Sequence, residues 1–82
     1  MTTVELSSRA TEWLDDAEPT VREQIISRLD RAVEFPDHFL YRLTGRSFYK
    51  LRAGDYRCII DWQQDDEVLF VREIGHRRNI YD

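Results

Sequence analysis

The chain has 82 residues, a formal net charge of −4 and one cysteine, Cys58. Domains usually run from about 50 to 200 residues, so the sequence predicts a single domain over residues 1–82. A lone cysteine excludes an intrachain disulfide and a cysteine-rich zinc site. The sequence has no apolar run of the roughly 18–20 residues that a membrane span needs, and no basic-then-apolar leader. We therefore expect a cytoplasmic protein without a membrane partner.

The acidic net charge hides a basic segment. Residues 42–60 hold five basic side chains against Asp55 alone, and 11 of the 12 basic residues of the chain are arginine. Arginine makes planar, bidentate contacts with phosphate that lysine does not make. A proteome adapted to high salt would give the same bias, and the sequence leaves both explanations open. Because local potential steers charged ligands more than net charge does, the basic segment keeps a nucleic-acid partner open.

The first half of the chain predicts one strand and two helices. Residues 3–6 are typical of a short strand, and an apolar stripe over 8–16, after a capping serine, indicates a helix. Pro19 suits the first turn of a second helix, in which apolar residues recur every four positions over 21–33. Pro36 ends that helix. The two helices are expected to form an antiparallel hairpin whose apolar stripes need a sheet to cover them.

The second half predicts a three-stranded meander. Two β-rich runs, 47–52 and 56–62, are joined by Ala53-Gly54-Asp55, a strong signal for a tight hairpin. A third run, 68–74, follows a polar turn and ends at Gly75. Together the elements predict a small α+β domain, in which the helices pack on one face of a mainly antiparallel sheet.

Alternation along these strands separates an apolar face from a basic one. The apolar residues of the hairpin share one face, which leaves Lys50, Arg52 and Arg57 pointing away from the helices. Such residues can simply solvate an open sheet face. However, the three cations have no matching acid on their predicted face, and Phe48 lies among them. Cations interleaved with an aromatic residue are typical of surfaces that bind phosphates and unstacked bases.

A basic tail offers further candidates, His76, Arg77, Arg78 and Tyr81. An exposed pair of arginines is usually solvated surface, a lone histidine is more often structural than catalytic, and a tyrosine near a terminus often anchors packing. Both interpretations of the tail stay open. The sequence shows no nucleophilic triad, no metal-ligand spacing and no glycine-rich phosphate loop.

Three segments together resemble the RelE branch of the RelE/ParE toxin superfamily. They are residues 48–57, F-Y-K-L-R-A-G-D-Y-R, residues 68–81, V-L-F-V-R-E-I-G-H-R-R-N-I-Y, and the opening residues 4–10. The resemblance covers nearly the whole chain. It implies a toxin of a type II toxin–antitoxin pair that enters the ribosomal A site and cleaves mRNA. In the family the 2′-hydroxyl of the RNA attacks the adjacent phosphate, and no metal or organic cofactor is needed.

Carried over by position, the resemblance also implies which residues form the site. Four residues match catalytic positions of the family. Arg57 matches the arginine that stabilises the charge of the transition state, and Arg77 matches the arginine that assists the leaving group. Lys50 matches a catalytic lysine and Tyr81 the terminal tyrosine. The residues expected to bind RNA beside them are Arg46, Phe48, Arg52 and Arg78. The best-known members have a second lysine where this chain has Phe48. Either Lys50 or His76 could therefore be the general base, since imidazoles exchange protons near neutral pH.

The resemblance further implies the partners. They are a RelB-like antitoxin, in a toxin–antitoxin hetero-oligomer, and the ribosome with its mRNA. One alternative is a ParE-like toxin, which shares the fold but is no nuclease and binds DNA gyrase; another is an inactive homologue that only binds antitoxin. ParE-like chains usually lack the terminal arginine and tyrosine that Arg77 and Tyr81 supply here, which favours the nuclease. The acidic net charge argues mildly against ribosome docking, because family members are usually basic.

Overall fold

A computed structural model describes residues 1–43, 45 and 47–80. In chain order its elements are β1 (Thr3–Leu6), α1 (Ser8–Asp16), α2 (Pro19–Glu34), α3 (Pro36–Phe39), β2 (Leu40–Arg42), β3 (Tyr49–Ala53), β4 (Tyr56–Gln63) and β5 (Val68–His76). The strands form one sheet in the order β1-β5-β4-β3-β2. Only β1 and β5 pair in parallel, and the other neighbours are antiparallel. The predicted α+β architecture, with a strand, a helix pair and a meander, is confirmed.

Local hydrogen bonds fix the two longer helices. The Ser7 hydroxyl accepts a hydrogen bond from the Ala10 N–H at 3.0 Å and so caps α1, and Pro19 occupies the first turn of α2. Arg22 of α2 donates to the carbonyl of Leu14 at 2.9 Å and to two neighbouring carbonyls at the end of α1. This side chain joins the helices and satisfies carbonyls that a helix end leaves unpaired. Within the described residues, no helix is long and apolar enough to cross a membrane.

The core lies between the helices and one face of the sheet. Its fully buried members are Ala10, Ile25, Ala32, Leu51, Ala53, Cys58, Ile60, Leu69 and Val71. Leu51 and Cys58 lie opposite each other in the ladder of β3 and β4. The expected position of Cys58 on the core face of a strand is confirmed. Burial raises the pKa of its thiol to about 12, because the thiolate would lose its hydration.

The segment after α2 differs from the sequence prediction. Pro36 ends α2 as expected, but it also begins the single turn of α3, since proline fits the first position of a helix. The chain then enters β2, which pairs with β3 and forms an edge of the sheet. The sequence analysis missed β2, because three residues are too few to show an alternating pattern.

The strand ends also differ from prediction. β3 begins at Tyr49 rather than at residue 47, and β5 does not end at Gly75 but continues to His76. Gly75 is buried, and a Cβ at this position would lie 2.9 Å from the Ile80 side chain. Glycine here lets the tail pack closely against the strand and does not mark a turn.

Candidate active site

The basic residues of β3 and β4 share the sheet face that the helices leave open. Arg52 lies directly opposite Arg57 in the ladder, and Lys50 lies opposite Ile59. Directly opposed residues share a face, and diagonal neighbours on that face are about 7–8 Å apart. Lys50 is therefore a diagonal neighbour of Arg57. The complete burial of Cys58 on the other face agrees with the predicted alternation.

Arg77 reaches the same place from the end of β5. Its backbone N–H donates to the carbonyl of Asp55 at 2.9 Å, and its Nε lies 4.0 Å from Asp55 Oδ1. These contacts tie the tail to the β3–β4 turn, where Gly54 has a φ of 61°. A small cavity of about 160 Å³ results, which we call the arginine cavity; its lining residues are Arg52, Gly54, Arg57 and Arg77.

Three guanidinium groups around an open cavity are suited to a phosphate. A guanidinium presents N–H donors in a planar fork that matches phosphate oxygens, and it keeps its charge at any physiological pH. Arg52 and Arg77 are exposed, whereas Arg57 is half-buried and so holds its side chain closer to the sheet. Donors fixed in this way stabilise negative charge that develops during a reaction. The described residues contain no cluster of three or more side chains that could hold a metal ion.

Phe48, next to β3, contacts a cation of β5, the strand on the other side of β4. The Arg72 guanidinium carbon lies 4.4 Å above the centroid of the Phe48 ring. Arg72 belongs to β5, and Phe48 directly precedes β3, so the contact crosses the open face of β4. The face of the Phe48 ring is therefore already in contact with a guanidinium group.

A β-bulge decides which face His76 occupies. Ile60 pairs with Val71 but Ile59 pairs with Glu73, so Arg72 is an extra residue in β5. The Arg72 carbonyl accepts a hydrogen bond from the Ser7 hydroxyl at 2.7 Å. Beyond the bulge the alternation of β5 is reversed, because one residue has been inserted into a period of two.

His76 consequently lies on the face opposite that of Lys50 and Arg57. It pairs with Tyr56 in the ladder, and the two rings meet edge-on with centroids 5.6 Å apart. Tyr56 in turn contacts Trp13 of α1 at 5.6 Å, which places this ring series on the helix side of the sheet. The structure therefore does not bring His76 together with Lys50.

His76 instead supports the turn that carries Arg77. Its Nδ1 accepts a hydrogen bond from the Arg78 N–H at 3.2 Å, and its carbonyl accepts one from the Asn79 N–H at 2.8 Å. These two hydrogen bonds fix the backbone conformation of the turn that contains Arg77. Arg78 itself is exposed and lines no part of the arginine cavity.

Two residues that the sequence analysis assigned, Arg46 and Tyr81, lie outside the described residues. Their roles therefore stay predictions.

Conversely, sequence reasoning missed three residues near the site. A second cavity of about 300 Å³ adjoins the first at Arg52, and its remaining lining includes Arg28, Phe39 and Tyr41. Phe39 and Tyr41 alternate in the sequence after Pro36, and this pattern could have indicated a strand near the site. No strand was predicted there, so the position of these two residues relative to the site could not be predicted.

The chain matches one family model over nearly its whole length. The model describes the ParE toxin of the type II toxin–antitoxin system, parDE, and the match covers residues 4–81. No curated protein sequence matches the chain significantly.

Solved structures are similar to the chain in fold. A chain of the intact E. coli RelBE toxin–antitoxin complex is 27% identical, with 93% of this chain and 96% of that chain covered and a TM-score of 0.78. The isolated E. coli RelE toxin is also 27% identical, with coverages of 93% and 84% and a TM-score of 0.78. An archaeal RelE–RelB complex from Pyrococcus horikoshii OT3 is 20% identical, with coverages of 96% and 98% and a TM-score of 0.75, which extends the likeness of fold.

Proposed function

The chain belongs to the ParE toxin family of type II toxin–antitoxin systems, and we propose that it is a ribosome-dependent endoribonuclease that cleaves mRNA in the A site. The single observation that carries this proposal is the arginine cavity, in which Arg52, Arg57 and Arg77 converge from two separate parts of the chain. A second support is the 27% identity to E. coli RelE over 93% of this chain.

In the proposed reaction the 2′-hydroxyl of one nucleotide attacks the adjacent phosphorus. The bond from phosphorus to the 5′-oxygen breaks, which leaves a 2′,3′-cyclic phosphate and a free 5′-hydroxyl. Arg57 stabilises the negative charge that builds on the non-bridging oxygens. Arg77 stabilises the negative charge on the departing 5′-oxygen, which takes up a proton from water. Holding the two reacting atoms in line contributes a large share of the rate, and on the ribosome the bound mRNA is already constrained.

Lys50 is our candidate for the group that accepts the proton of the 2′-hydroxyl. Its place as a diagonal neighbour of Arg57 on the open face supports this role. His76 lies on the other face, against Tyr56, and is a weaker candidate. We assign His76 to positioning, through its hydrogen bond to the Arg78 N–H. We retain Tyr81 as a proposed catalytic residue only because it matches the terminal tyrosine of the family.

A RelB-like antitoxin is the proposed partner, in a hetero-oligomeric complex that keeps the toxin inactive. The E. coli relative was solved as a complex of RelB and RelE. A stable interface contributes about 800 Å² from each partner, and an 82-residue chain has few surfaces of that size. We expect the antitoxin to cover the arginine cavity with an acidic segment. A complex in which Arg52 and Arg57 stay exposed and without contacts would contradict inhibition by occlusion.

The second candidate function is that of a ParE-like toxin that binds DNA gyrase. Two observations favour it: the matching family model is that of ParE, and the net charge of −4 suits the ribosome poorly. The arginine cavity, whose guanidinium groups suit a phosphate, supports the nuclease instead. We therefore rank it second.

One experiment separates the two functions. The 5′ ends of mRNA are mapped in a translating extract with and without the protein, and gyrase supercoiling is assayed with the same preparation. The nuclease predicts new 5′ ends at a fixed position within the A-site codon, their loss when translation is blocked before elongation, and normal supercoiling. Gyrase inhibition with an unchanged pattern of 5′ ends would overturn the proposed activity and establish the second candidate.

A further inference from the structure

The arginine cavity opens into a longer depression. It shares Arg52 and Gly54 with the cavity of about 300 Å³. That cavity shares Arg28 and Phe39 with a third one, of about 470 Å³, which lies along α2. The three cavities therefore follow one another from the open face of the sheet, around its β2 edge and onto α2.

Arginines along this depression are held by aromatic rings. The guanidinium carbons of Arg28 and Arg31 lie 5.7 and 5.6 Å from the centroid of the Phe39 ring. That of Arg52 lies 5.8 Å from the centroid of the Tyr41 ring. Cations at such distances are attracted by the face of the ring. We call these five residues the arginine strip.

Within the described residues, no salt bridge neutralises the positive charge of the strip. Arg28, Arg31 and Arg52 are exposed, and none of them makes a salt bridge with a carboxylate among residues 1–43, 45 and 47–80. On a chain with a net charge of −4, three exposed positive charges therefore lie together beside the arginine cavity. The aromatic contacts orient the guanidinium groups without reducing that charge, so the strip is complementary to an anion with several charges.

We propose that the arginine strip binds the single-stranded RNA that flanks the cleaved phosphate. This inference rests on the proposed function, because it takes the arginine cavity as the place of that phosphate. Single-stranded RNA carries one phosphate per nucleotide, and its unstacked bases expose flat faces. Proteins that bind it combine a basic groove along the backbone with aromatic side chains. The strip has both features, and its cavity shares Arg52 and Gly54 with the arginine cavity, so one strand can reach both.

The test measures RNA binding without ribosomes and without cleavage. The probes are fluorescent 2′-O-methyl RNAs, which lack the attacking hydroxyl, of about 4 and about 12 nucleotides, lengths within the range of single-strand sites on small domains. The variant is R28Q/R31Q, whose two side chains are exposed. The matched control is R42Q, which removes an arginine that stacks on Tyr49 and lines none of the three cavities.

We expect R28Q/R31Q to weaken binding of the long RNA at least tenfold and to leave the short RNA unaffected. The salt dependence should also fall, by about 1.4 in the slope of log K against log salt, since each phosphate contact on a single strand contributes about 0.7. R42Q should bind both RNAs as the parent does. An R28Q/R31Q variant that binds the long RNA like the parent would overturn the proposal.

Failure of this proposal and failure of the proposed function give different results. If R28Q/R31Q binds the long RNA more weakly but the parent protein leaves the 5′ ends of mRNA in the extract unchanged, the arginine strip binds RNA and the proposed nuclease activity is wrong. Normal cleavage by R28Q/R31Q and normal RNA binding would keep the nuclease and reject the strip. If R28Q/R31Q binds RNA normally but binds an acidic antitoxin segment more weakly, the strip is an antitoxin surface and the RNA proposal is wrong.

Discussion

Arg52 and Arg57 lie directly opposite each other in the antiparallel ladder of β3 and β4. Like charges at directly opposed positions destabilise a sheet, by up to roughly 1 kcal/mol. Asp55, in the turn between them, is directed at Arg77, with 4.0 Å between Oδ1 and Nε. The hairpin therefore brings two positive charges to one place, an arrangement that favours a bound anion.

The pairing predicts that Arg52→Gln changes function more than stability. The substitution removes the like-charge repulsion, which is worth about 0.2–1 kcal/mol. It also removes the contact with the Tyr41 ring, which is worth about 0.5–1 kcal/mol at an exposed position. The two effects oppose each other, so urea unfolding should give a free energy of unfolding within about 0.8 kcal/mol of the parent value. Binding of RNA should weaken clearly in the same variant, and a large loss of stability would show that Arg52 has a structural role.

Arg57→Ala and Arg77→Ala should each reduce mRNA cleavage by about 10²- to 10³-fold, the usual loss when a group that stabilises transition-state charge is removed. Both side chains line the arginine cavity, and neither belongs to the buried core. The measurement is single-turnover cleavage on programmed ribosomes, with thermal unfolding of each variant to verify the fold. Arg42→Ala is the control. Wild-type cleavage by either variant would show that the active-site assignment is wrong.

The helices and the first strand could be predicted from the sequence for a clear physical reason. Apolar side chains that recur every four residues over 21–33 can be buried together only on a helix. A serine cap at Ser7 or Ser8 and Pro19 were the signals for the starts of α1 and α2; the structure assigns the cap to Ser7 and places Pro19 in the first turn. The position of Arg52 and Arg57 on one face followed from alternation, because Leu51 and the other apolar residues of the hairpin take the opposite face.

The surroundings of His76 could not be predicted in this way. Uninterrupted alternation from Val71 would place His76 on the open face, the face that carries Lys50. The extra residue at Arg72 reverses the alternation, and its carbonyl is satisfied by Ser7, which is distant in sequence. A bulge of this kind depends on long-range pairing, so local pattern does not reveal it. For the same reason local pattern does not reveal that Arg28 lines a cavity together with Tyr41 of β2.

Cys58 should make the fold less stable at alkaline pH. Burial raises the pKa of its thiol from 9.0 to about 12. A group whose pKa is raised in the folded state contributes stability below its unfolded pKa and loses it as the pH rises towards the folded pKa. Between pH 9.0 and about 12 the Cys58 thiol ionises in the unfolded chain but not in the folded one. The free energy of unfolding should therefore fall by up to about 1.4 kcal/mol per pH unit.

The Cys58 effect is measured by difference. Urea unfolding of the parent and of Cys58→Ala at several pH values between 7 and 11 gives two curves, and other titrating groups affect both alike. Cys58→Ala costs stability at all pH values because it leaves a small cavity. The gap between the curves should narrow above the thiol pKa of the unfolded chain. A constant gap would show that Cys58 ionises equally in both states.

The last prediction concerns Lys50 and His76, the two candidates for proton transfer. Lys50→Ala should reduce cleavage by about 10²- to 10⁴-fold, the usual contribution of a general acid or base. His76→Ala should lose much less, because it disturbs only the turn that carries Arg77. Its positioning role can be tested with His76→Asn, whose side-chain oxygen can accept the Arg78 N–H in place of Nδ1.

If His76 only positions the turn, His76→Asn should recover most of the cleavage lost in His76→Ala, and its pH–rate profile should coincide with that of the parent. A catalytic imidazole predicts the opposite, since an amide cannot take up the proton: both His76 variants would then be equally inactive. The profiles are recorded from single-turnover cleavage on ribosomes. Near-normal cleavage by Lys50→Ala, or an inactive His76→Asn that folds normally, would transfer the role of proton acceptor from β3 to the end of β5, and would require His76 to leave its contact with Tyr56 when RNA binds.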